Sequence, residues 1–407
     1  MHVSDLSLED FRSYRRLVVS LEPGITALIG PNGQGKTNLI EAVDYLSGLS
    51  SHRAGADTAL VRRAEPGGEQ PGGAVLRARV VHGRRPTVME LEIIAGRANR
   101  ARLNRGSVRP RDLLGVLRTV LFSPEDLALV REEPAGRRRL LDDLAVTLRP
   151  ALAGVRAEHD KILAQRAGLL RSARAARTPT ASMLTTLEVW DAQLAAAASR
   201  LIAARIDVVE RLRPWVAGAY GAVSADPSPA FIAYRSSLAL HEGAPEPDPR
   251  TGGDRPEVEA GLADAGATAA RLEAAMGALR AREIDRGANL VGAHRDDLSL
   301  FLGPLPARGF ASHGEQWSLA LALRLASYEM LRRDVDAYGG DGEPVLLLDD
   351  VFSSLDDTRR RALAHLVAGA QQALVTAASE HDVPGEMAGA RWRVDGSGLS
   401  REPGAEP

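Results

Sequence analysis

Gly30-Pro31-Asn32-Gly33-Gln34-Gly35-Lys36-Thr37 matches the phosphate-binding pattern G-x-x-x-x-G-K-[ST] at every specified position. The glycines let successive backbone N–H groups turn inward around phosphate oxygens, the lysine supplies a compact charge on a flexible stem, and the threonine hydroxyl can ligate Mg²⁺. Lysine is otherwise scarce: of 51 basic residues only Lys36 and Lys161 are not arginine, so an ammonium stands where a rigid guanidinium fork would not fit. The loop also sits in the right setting. Ile25 to Ile29 is an apolar run of strand length, and Leu39, Ile40, Val43 and Leu46 recur at helical spacing. A strand therefore runs into a helix whose N-terminus faces the phosphates. The expected contacts to ATP are Gly30, Pro31, Asn32, Gly33, Gln34, Gly35, Lys36, Thr37 and Asn38, with Lys36 also catalytic and Thr37 also on the metal.

Working outward, 407 residues allow two or three domains and a large core. A net charge of −2 gives no global basic field, so any nucleic-acid surface must be local. With no cysteine, disulfides, thiolate metal sites and cysteine nucleophiles are excluded together. The first ten residues carry three acids and no apolar core, and no run approaches the roughly 18 apolar residues of a spanning helix. A cytoplasmic protein with no membrane partner is expected.

Up to about Val130 the chain reads as strands. Leu6 and Leu8 alternate with polar residues, as do Leu17, Val19 and Leu21; Pro66-Gly67-Gly68 and Pro71-Gly72-Gly73 mark turns, and Val75 to Val81 and Val88 to Ile94 complete a small antiparallel sheet. Beyond Arg131 the period changes. Leu152, Val155, His159, Ile162, Arg166 and Leu169 alternate steps of three and four, as do Met183 to Val208 and Leu262 to Leu279. These seams, with polar turns at Arg171 to Ser182 and Gly243 to Pro256, predict an antiparallel coiled-coil arm over 131–284, in which His159 and Arg166 are edge or snorkelling residues. A C-terminal lobe is expected over 285–395 and a flexible tail over 396–407.

Val345 to Leu348 followed by Asp349-Asp350 reads as a buried strand delivering the Asp349 carboxylate to the metal beside Thr37, with Asp350 placed to orient or deprotonate water. Between the two elements, Ser312-His313-Gly314-Glu315-Gln316 opens a long helix. Ser-x-x-Glu is also a capping box, and both readings stand. The order of these motifs, with Ser353-Ser354-Leu355-Asp356 after Asp350, resembles an ABC-type ATPase head split by a coiled-coil insertion, as in SMC-like chromosome and repair ATPases. That resemblance implies an α/β head assembled from N- and C-terminal lobes, two of which close over ATP so that Ser312, Gly314, Gln316 and Asp356 meet the nucleotide held by a partner copy.

A narrower resemblance rests on Phe11-Arg12-Ser13-Tyr14, Asn38-Leu39-Ile40-Glu41-Ala42, Ser51-His52-Arg53, Phe122-Ser123-Pro124-Glu125-Asp126-Leu127, Arg137-Arg138-Arg139 before Leu141-Asp142, Gly292-Ala293-His294-Arg295-Asp296-Asp297 and Leu348-Asp349-Asp350-Val351. Together they are similar to the RecF family of bacterial recombination mediators across nearly all of residues 1 to 395. The resemblance implies an ATP-dependent homodimer that binds duplex and single-strand/duplex junctions and, with RecR and RecO, promotes RecA loading. It also implies slow ATP hydrolysis, which suits Asp350 in place of a longer glutamate. Departures are Ala293 where proline is usual, His313 and Glu315 where glutamine is common, no glutamine in the Phe122 to Leu127 segment, and only Thr376 as a candidate γ-phosphate sensor.

Between Arg84 and Arg111 lie eight arginines and two glutamates. This local stripe, with Arg84, Arg85, Arg102, Arg105, Arg109 and Arg111 as the named candidates, predicts sequence-tolerant contact with DNA phosphates. Few aromatics lie nearby, which favours duplex over stacked single strand. The alternative is an ABC-type head serving another chromosome-associated or transport complex. A transporter subunit usually places its signature about 100 residues after the phosphate loop, whereas Ser312 lies 275 after Thr37.

Overall fold

The computed structural model describes residues 1–64, 68–176, 180–224, 228–249, 256–335, 342–396 and 398–401. Alternating apolar residues build its first sheet. Strands β1 (His2–Phe11), β2 (Tyr14–Ser20), β4 (Gly73–His82), β5 (Arg85–Ile94), β6 (Arg100–Leu103) and β7 (Gly106–Val108) pair antiparallel in the order β2-β1-β4-β5-β6-β7. Register places Leu17, Leu8, Leu76, Leu91 and Ala101 in one cross-strand row on the buried face. Each residue between them points to the other face, as a period of two requires.

The second sheet is mainly parallel, and four of its six strands are largely apolar and almost wholly buried, as strands covered on both faces must be. Its order is β15-β14-β3-β13-β12-β8, from β3 (Gly24–Ile29), β8 (Thr119–Phe122), β12 (Val345–Leu348), β13 (Gln372–Ala377), β14 (Gly389–Val394) and β15 (Leu399–Arg401). Only β15 is antiparallel. Helix α1 (Lys36–Gly48) lies between the two sheets, and Leu39, Ile40, Val43 and Leu46 share one core with Leu8, Leu76, Leu28 and Leu347. The Gln372 amide ties the sheets together: it accepts from Val3 N and donates to Val3 O, both at 2.8 Å.

The helices of eight or more residues that follow α1 are α2 (Ala135–Leu148), α3 (Leu152–Ala175), α4 (Ala181–Val223), α5 (Pro256–Ala263), α6 (Ala265–Arg286), α7 (His313–Arg332) and α8 (Asp357–Ala368). By residue contacts the chain forms two compact units, one of residues 1–127, 219–225 and 320–407, the other of 128–218 and 226–319. Residues 285–319, expected in the C-terminal lobe, thus fall with the second unit. The reason is a third sheet in the order β11-β10-β9, in which β10 (Asp297–Leu302) pairs with β9 (Ala230–Arg235) and β11 (Leu305–Pro306). Helices α4 and α7 each run from one unit into the other.

Several expectations need correction. The turn at Arg171 to Ser182 is helical to Ala175 and again from Ala181, because alanine and arginine are strong helix formers; residues 177–179 lie outside the described residues. The third seam breaks at Asp264, whose carboxylate accepts from Ala267 N at 3.0 Å and starts α6 afresh. The Gly243 to Pro256 turn is described only in part, and Pro66-Gly67 lies outside the described residues. The tail is not wholly irregular, since β15 pairs with β14 and Arg401 bridges to Glu22 at 3.1 Å; residues 397 and 402–407 lie outside the description. No described helix is long and apolar enough to cross a membrane.

The largest correction concerns the seam residues His159 and Arg166, which are buried rather than at an edge. The Arg166 guanidinium reaches Asp191 at 2.6 Å, Asn289 at 2.5 Å and Glu283 at 2.6 Å, joining α3, α4 and α6. Arg280 adds a second bond to Asp191 at 2.7 Å. The edge placement of these two residues does not hold, because a fully paired arginine occupies a core position at helical spacing. Arg166→Met would strand the buried Glu283 carboxylate, and urea unfolding should show a loss of about 3–5 kcal/mol. A loss below about 1 kcal/mol would mean that Glu283 is not left uncompensated when Arg166 is removed.

Candidate functional site: a phosphate loop closed by two threonines

The site lies at the carboxyl ends of the parallel strands, where open α/β sheets bind ligands. Residues 30–35 leave β3 and feed α1. Gly30 has no room for a side chain, since a Cβ there would stand 2.2 Å from Val394 O on the neighbouring strand. Gly35 holds φ at 103° and would press a Cβ to 2.8 Å from Ser13 Oγ, so only glycine serves there. Pro31, Asn32 and Gly33 are exposed, Gln34, Thr37 and Asn38 half-buried, and Lys36 buried.

The Lys36 ammonium folds back onto its own loop, donating to Gly30 O at 2.5 Å and Pro31 O at 2.9 Å. Burial lowers its pKa while Asp350 and Asp349 raise it, which places both carboxylates within electrostatic reach of the ammonium. Thr37 Oγ1 donates to Asp349 Oδ1 at 3.0 Å, and Thr376 Oγ1 donates to the same oxygen at 2.7 Å. Burial pushes the Asp349 carboxyl up, against the pull of those two hydroxyls. Asp350 N donates to Thr376 Oγ1 at 2.9 Å, so the Thr376 hydroxyl links both acids. Asp350 itself sits at φ 52°, a left-handed conformation uncommon outside glycine that aspartate tolerates and that recurs at functional sites.

A hydroxyl and one carboxylate converge here, and no cluster of three or more His, Asp or Glu residues able to hold a metal occurs among the described residues. That donor set fits Mg²⁺, which keeps most of its waters and takes the rest of its ligands from substrate phosphates. Thr37 and Asp349 are the residues that would hold it.

The short sequence words around the loop acquire roles that spacing alone did not show. In the β1–β2 hairpin, Arg12 forks onto the buried Glu41 of α1 at 2.6 and 2.8 Å. Ser13 Oγ accepts from the Asn38 amide at 2.9 Å, and the Tyr14 hydroxyl donates to Gly35 O at 3.1 Å. Ser51 Oγ donates to Glu41 at 2.5 Å, and Arg53 donates to Asn38 Oδ1 at 3.2 Å. The hairpin and the loop after α1 therefore clamp the phosphate loop from behind. Ser123 follows β8 directly beside Asp349, whose N–H donates to Phe122 O at 2.9 Å. Asp126 accepts from Ser123 N at 3.0 Å and from Arg324 of α7 at 2.6 Å.

Ser312 is exposed and forms the capping box: its hydroxyl accepts from Glu315 N at 3.3 Å, and Glu315 accepts from Ser312 N at 2.6 Å. Gly314 lies in the first turn of α7, and Gln316 donates to Ala311 O at 2.7 Å. Asp356, also exposed, caps α8 through Arg359 N at 2.9 Å. Among the basic candidates, Arg102 pairs with Glu90 at 3.3 Å, while Arg109 and Arg111 share Asp112 at 3.4 and 4.0 Å. Arg84 and Arg85 at the β4–β5 turn and Arg105 at the β6–β7 turn make no ion pair among the described residues.

A family profile described as RecF/RecN/SMC N terminal domain matches residues 2–386. The chain is 55% identical over 406 residues to the DNA replication and repair protein RecF of Beutenbergia cavernae, covering 98% of this chain and 100% of that one. It is 54% identical to the protein of the same description in Frankia alni, covering 97% and 98%. Among solved structures it is similar to the recombination mediator protein RecF-ATPrS of the RecFOR pathway, with a TM-score of 0.81 at 23% identity over 98% of both chains. The Smc head domain from Pyrococcus furiosus shares the fold more loosely, with a TM-score of 0.52 at 14% identity over 98% and 96% of the two chains.

Burial alone would raise the Glu41 pKa, but the Arg12 fork, the Ser51 hydroxyl and the Arg53 charge outweigh it and hold the carboxyl below its ordinary range. The unfolded chain then binds this proton first as pH falls, so the clamp's contribution is complete above about pH 4.3 and disappears as pH falls through the lower folded value. Glu41→Gln should therefore flatten the acid limb of the stability curve and lower stability at pH 7. Denaturant midpoints from pH 3 to pH 7 measure both, and an unchanged acid limb would show that Glu41 is not linked to folding.

Proposed function

The chain belongs to the RecF family, and from that premise we propose that it is an ATP-dependent DNA-binding switch of DNA replication and recombinational repair. ATP and Mg²⁺ bind at the phosphate loop, two copies dimerise over the nucleotides, and the dimer holds duplex and single-strand/duplex junctions irrespective of sequence. With RecR and RecO it promotes RecA loading. The observation that carries the nucleotide reading is the meeting of Thr37 and Asp349 at 3.0 Å beside a buried lysine, from positions 312 residues apart. Support for shared sites is that Ser312 and Asp356 both lie exposed at helix starts, where a partner's phosphate oxygens can approach backbone N–H groups.

Bound Mg²⁺ supplies charge neutralisation for the phosphates. Lys36, released from its loop carbonyls, takes the β and γ phosphate oxygens, and the loop N–H groups orient them. Asp350 orients the attacking water and accepts its proton. Thr376 holds Asp350 through the backbone, so the acid's position depends on β13. A carboxylate one methylene shorter than glutamate reaches less far toward the water, which suits slow turnover and a switch rather than a metabolic enzyme. The exposed arginines Arg84, Arg85 and Arg105, with Arg102, Arg109 and Arg111 beside them, supply phosphate contacts without base readout.

Binding to a gapped duplex, with and without ATP and Mg²⁺, tests the reading when oligomeric state is measured in the same samples. Tight binding that needs ATP, accompanies dimerisation and is lost in Lys36→Arg and Ser312→Arg is expected. Dimerisation without ATP-dependent DNA binding would instead point to a head serving another complex. Asp350→Asn should slow hydrolysis by about 10²-fold or more, while Asp350→Glu keeps or raises it. Equal rates in all three proteins would remove Asp350 from the mechanism.

A further inference from the structure

Two sequence words that the nucleotide site does not use, Arg137-Arg138-Arg139 and Gly292-Ala293-His294-Arg295-Asp296-Asp297, meet in the second unit. Most charges there are answered. Arg137 forks onto Asp297 at 2.8 and 2.9 Å. Buried Arg205 forks onto Asp142 at 2.7 and 3.0 Å and donates to Ala293 O at 2.6 Å. Buried Asp296 accepts from the Tyr234 hydroxyl and from Ser237 N and Oγ, each at 2.7 Å.

Arg138 and Arg295 differ. Arg138 donates to Asp296 O at 2.9 Å, and Arg295 donates through Nε and Nη2 to Asn289 O at 2.9 and 2.7 Å. Neither forms an ion pair with a carboxylate among the described residues. Arg138 is half-buried and Arg295 exposed. Burial pushes the neighbouring His294 down to about 3, against its hydrogen bond to Asn289 O, and the charges of His159, Arg295 and Arg138 push the same way as burial.

A guanidinium pinned by a backbone carbonyl keeps a fixed orientation, and its remaining N–H groups need no carboxylate displaced before they can bind. That is the arrangement a phosphate oxygen requires. It contrasts with Arg102, Arg109 and Arg111, which already hold acids. We propose that Arg138 and Arg295 form a binding site for a backbone phosphate of DNA on the second unit. This rests on the DNA-binding reading above and extends it to residues outside the arginine stripe of the first sheet. The surface residues of the two words are Arg138, Arg139, His294, Arg295 and Asp297, all polar, without the aromatic or aliphatic anchor by which a protein partner would hold.

The test is a salt series of gapped-duplex binding by the full chain with ATP and Mg²⁺, comparing the wild type with Arg295→Gln, the Arg138→Gln/Arg295→Gln pair and the Arg138→Lys/Arg295→Lys pair. ATP binding and oligomeric state are read in the same samples. Loss of this one phosphate contact should reduce the slope of log affinity against log salt by about one unit in the glutamine pair and by part of that in Arg295→Gln, with ATP binding retained, and the lysine pair should keep the slope. Arg295 is exposed, so its single variant carries the test even if the double variant does not fold. Wild-type affinity and slope in the glutamine variants would overturn this site while leaving the wider reading intact, as would loss of an acidic protein partner with DNA binding unchanged. A wild type that binds no DNA would overturn the wider reading itself.

Discussion

The pairing of β3 between β13 and β14 is the constraint on which the rest depends. Residues 24–29 form backbone hydrogen bonds with 372–377 on one side and 389–393 on the other, so the chain must return after more than 340 residues to complete its own central sheet. Closing contacts over such a separation makes folding slow relative to local hairpins and helices, yet it brings the phosphate loop, the Asp349 carboxylate and Thr376 to the ends of adjacent strands. The hydrogen bonds from Thr37 and Thr376 to Asp349 follow from that alignment.

Around this frame, polar groups are used in two different ways. Behind the phosphate loop, buried Glu41 gathers Arg12, Ser51 and Arg53, and the result is a rigid cradle. In the second unit, Arg166 and Arg205 join helices through buried carboxylates that an apolar seam would have left out. Exposed ion pairs such as Arg77 with Glu90 contribute only about 0–1 kcal/mol, so stability does not rest on them. Their importance lies in which arginines they leave available to an outside anion.

Asp126 gives the site a physical link to α7, because it takes Ser123 N with one oxygen and Arg324 with the other. The same helix begins at the exposed capping box of Ser312 and Glu315. A serine can serve both as cap and beside a partner's phosphate, since the capping box engages only the Ser312 and Glu315 N–H groups and leaves the other N–H groups of the first turn outside it. The two readings of Ser312 are thus compatible.

The phosphate loop, the strand ending in Asp349 and Asp350, and the alternating strands of the first sheet were legible in the sequence because each is a local pattern: a fixed spacing, an apolar run, a period of two. The words Phe11 to Tyr14 and Ser51 to Arg53 could be quoted but not explained, since Glu41, Asn38 and Gly35, which they serve, meet them only after the hairpin folds onto α1. Periodicity misread His159 and Arg166, because a helical spacing does not distinguish a leucine in a core from an arginine whose acids arrive from other helices. The same reason governs charge. Sequence by itself determined where arginines cluster; only the tertiary structure decided that Arg102, Arg109 and Arg111 have acids while Arg138 and Arg295 have backbone carbonyls. Whether a charge is satisfied depends on partners that the chain brings together from far apart.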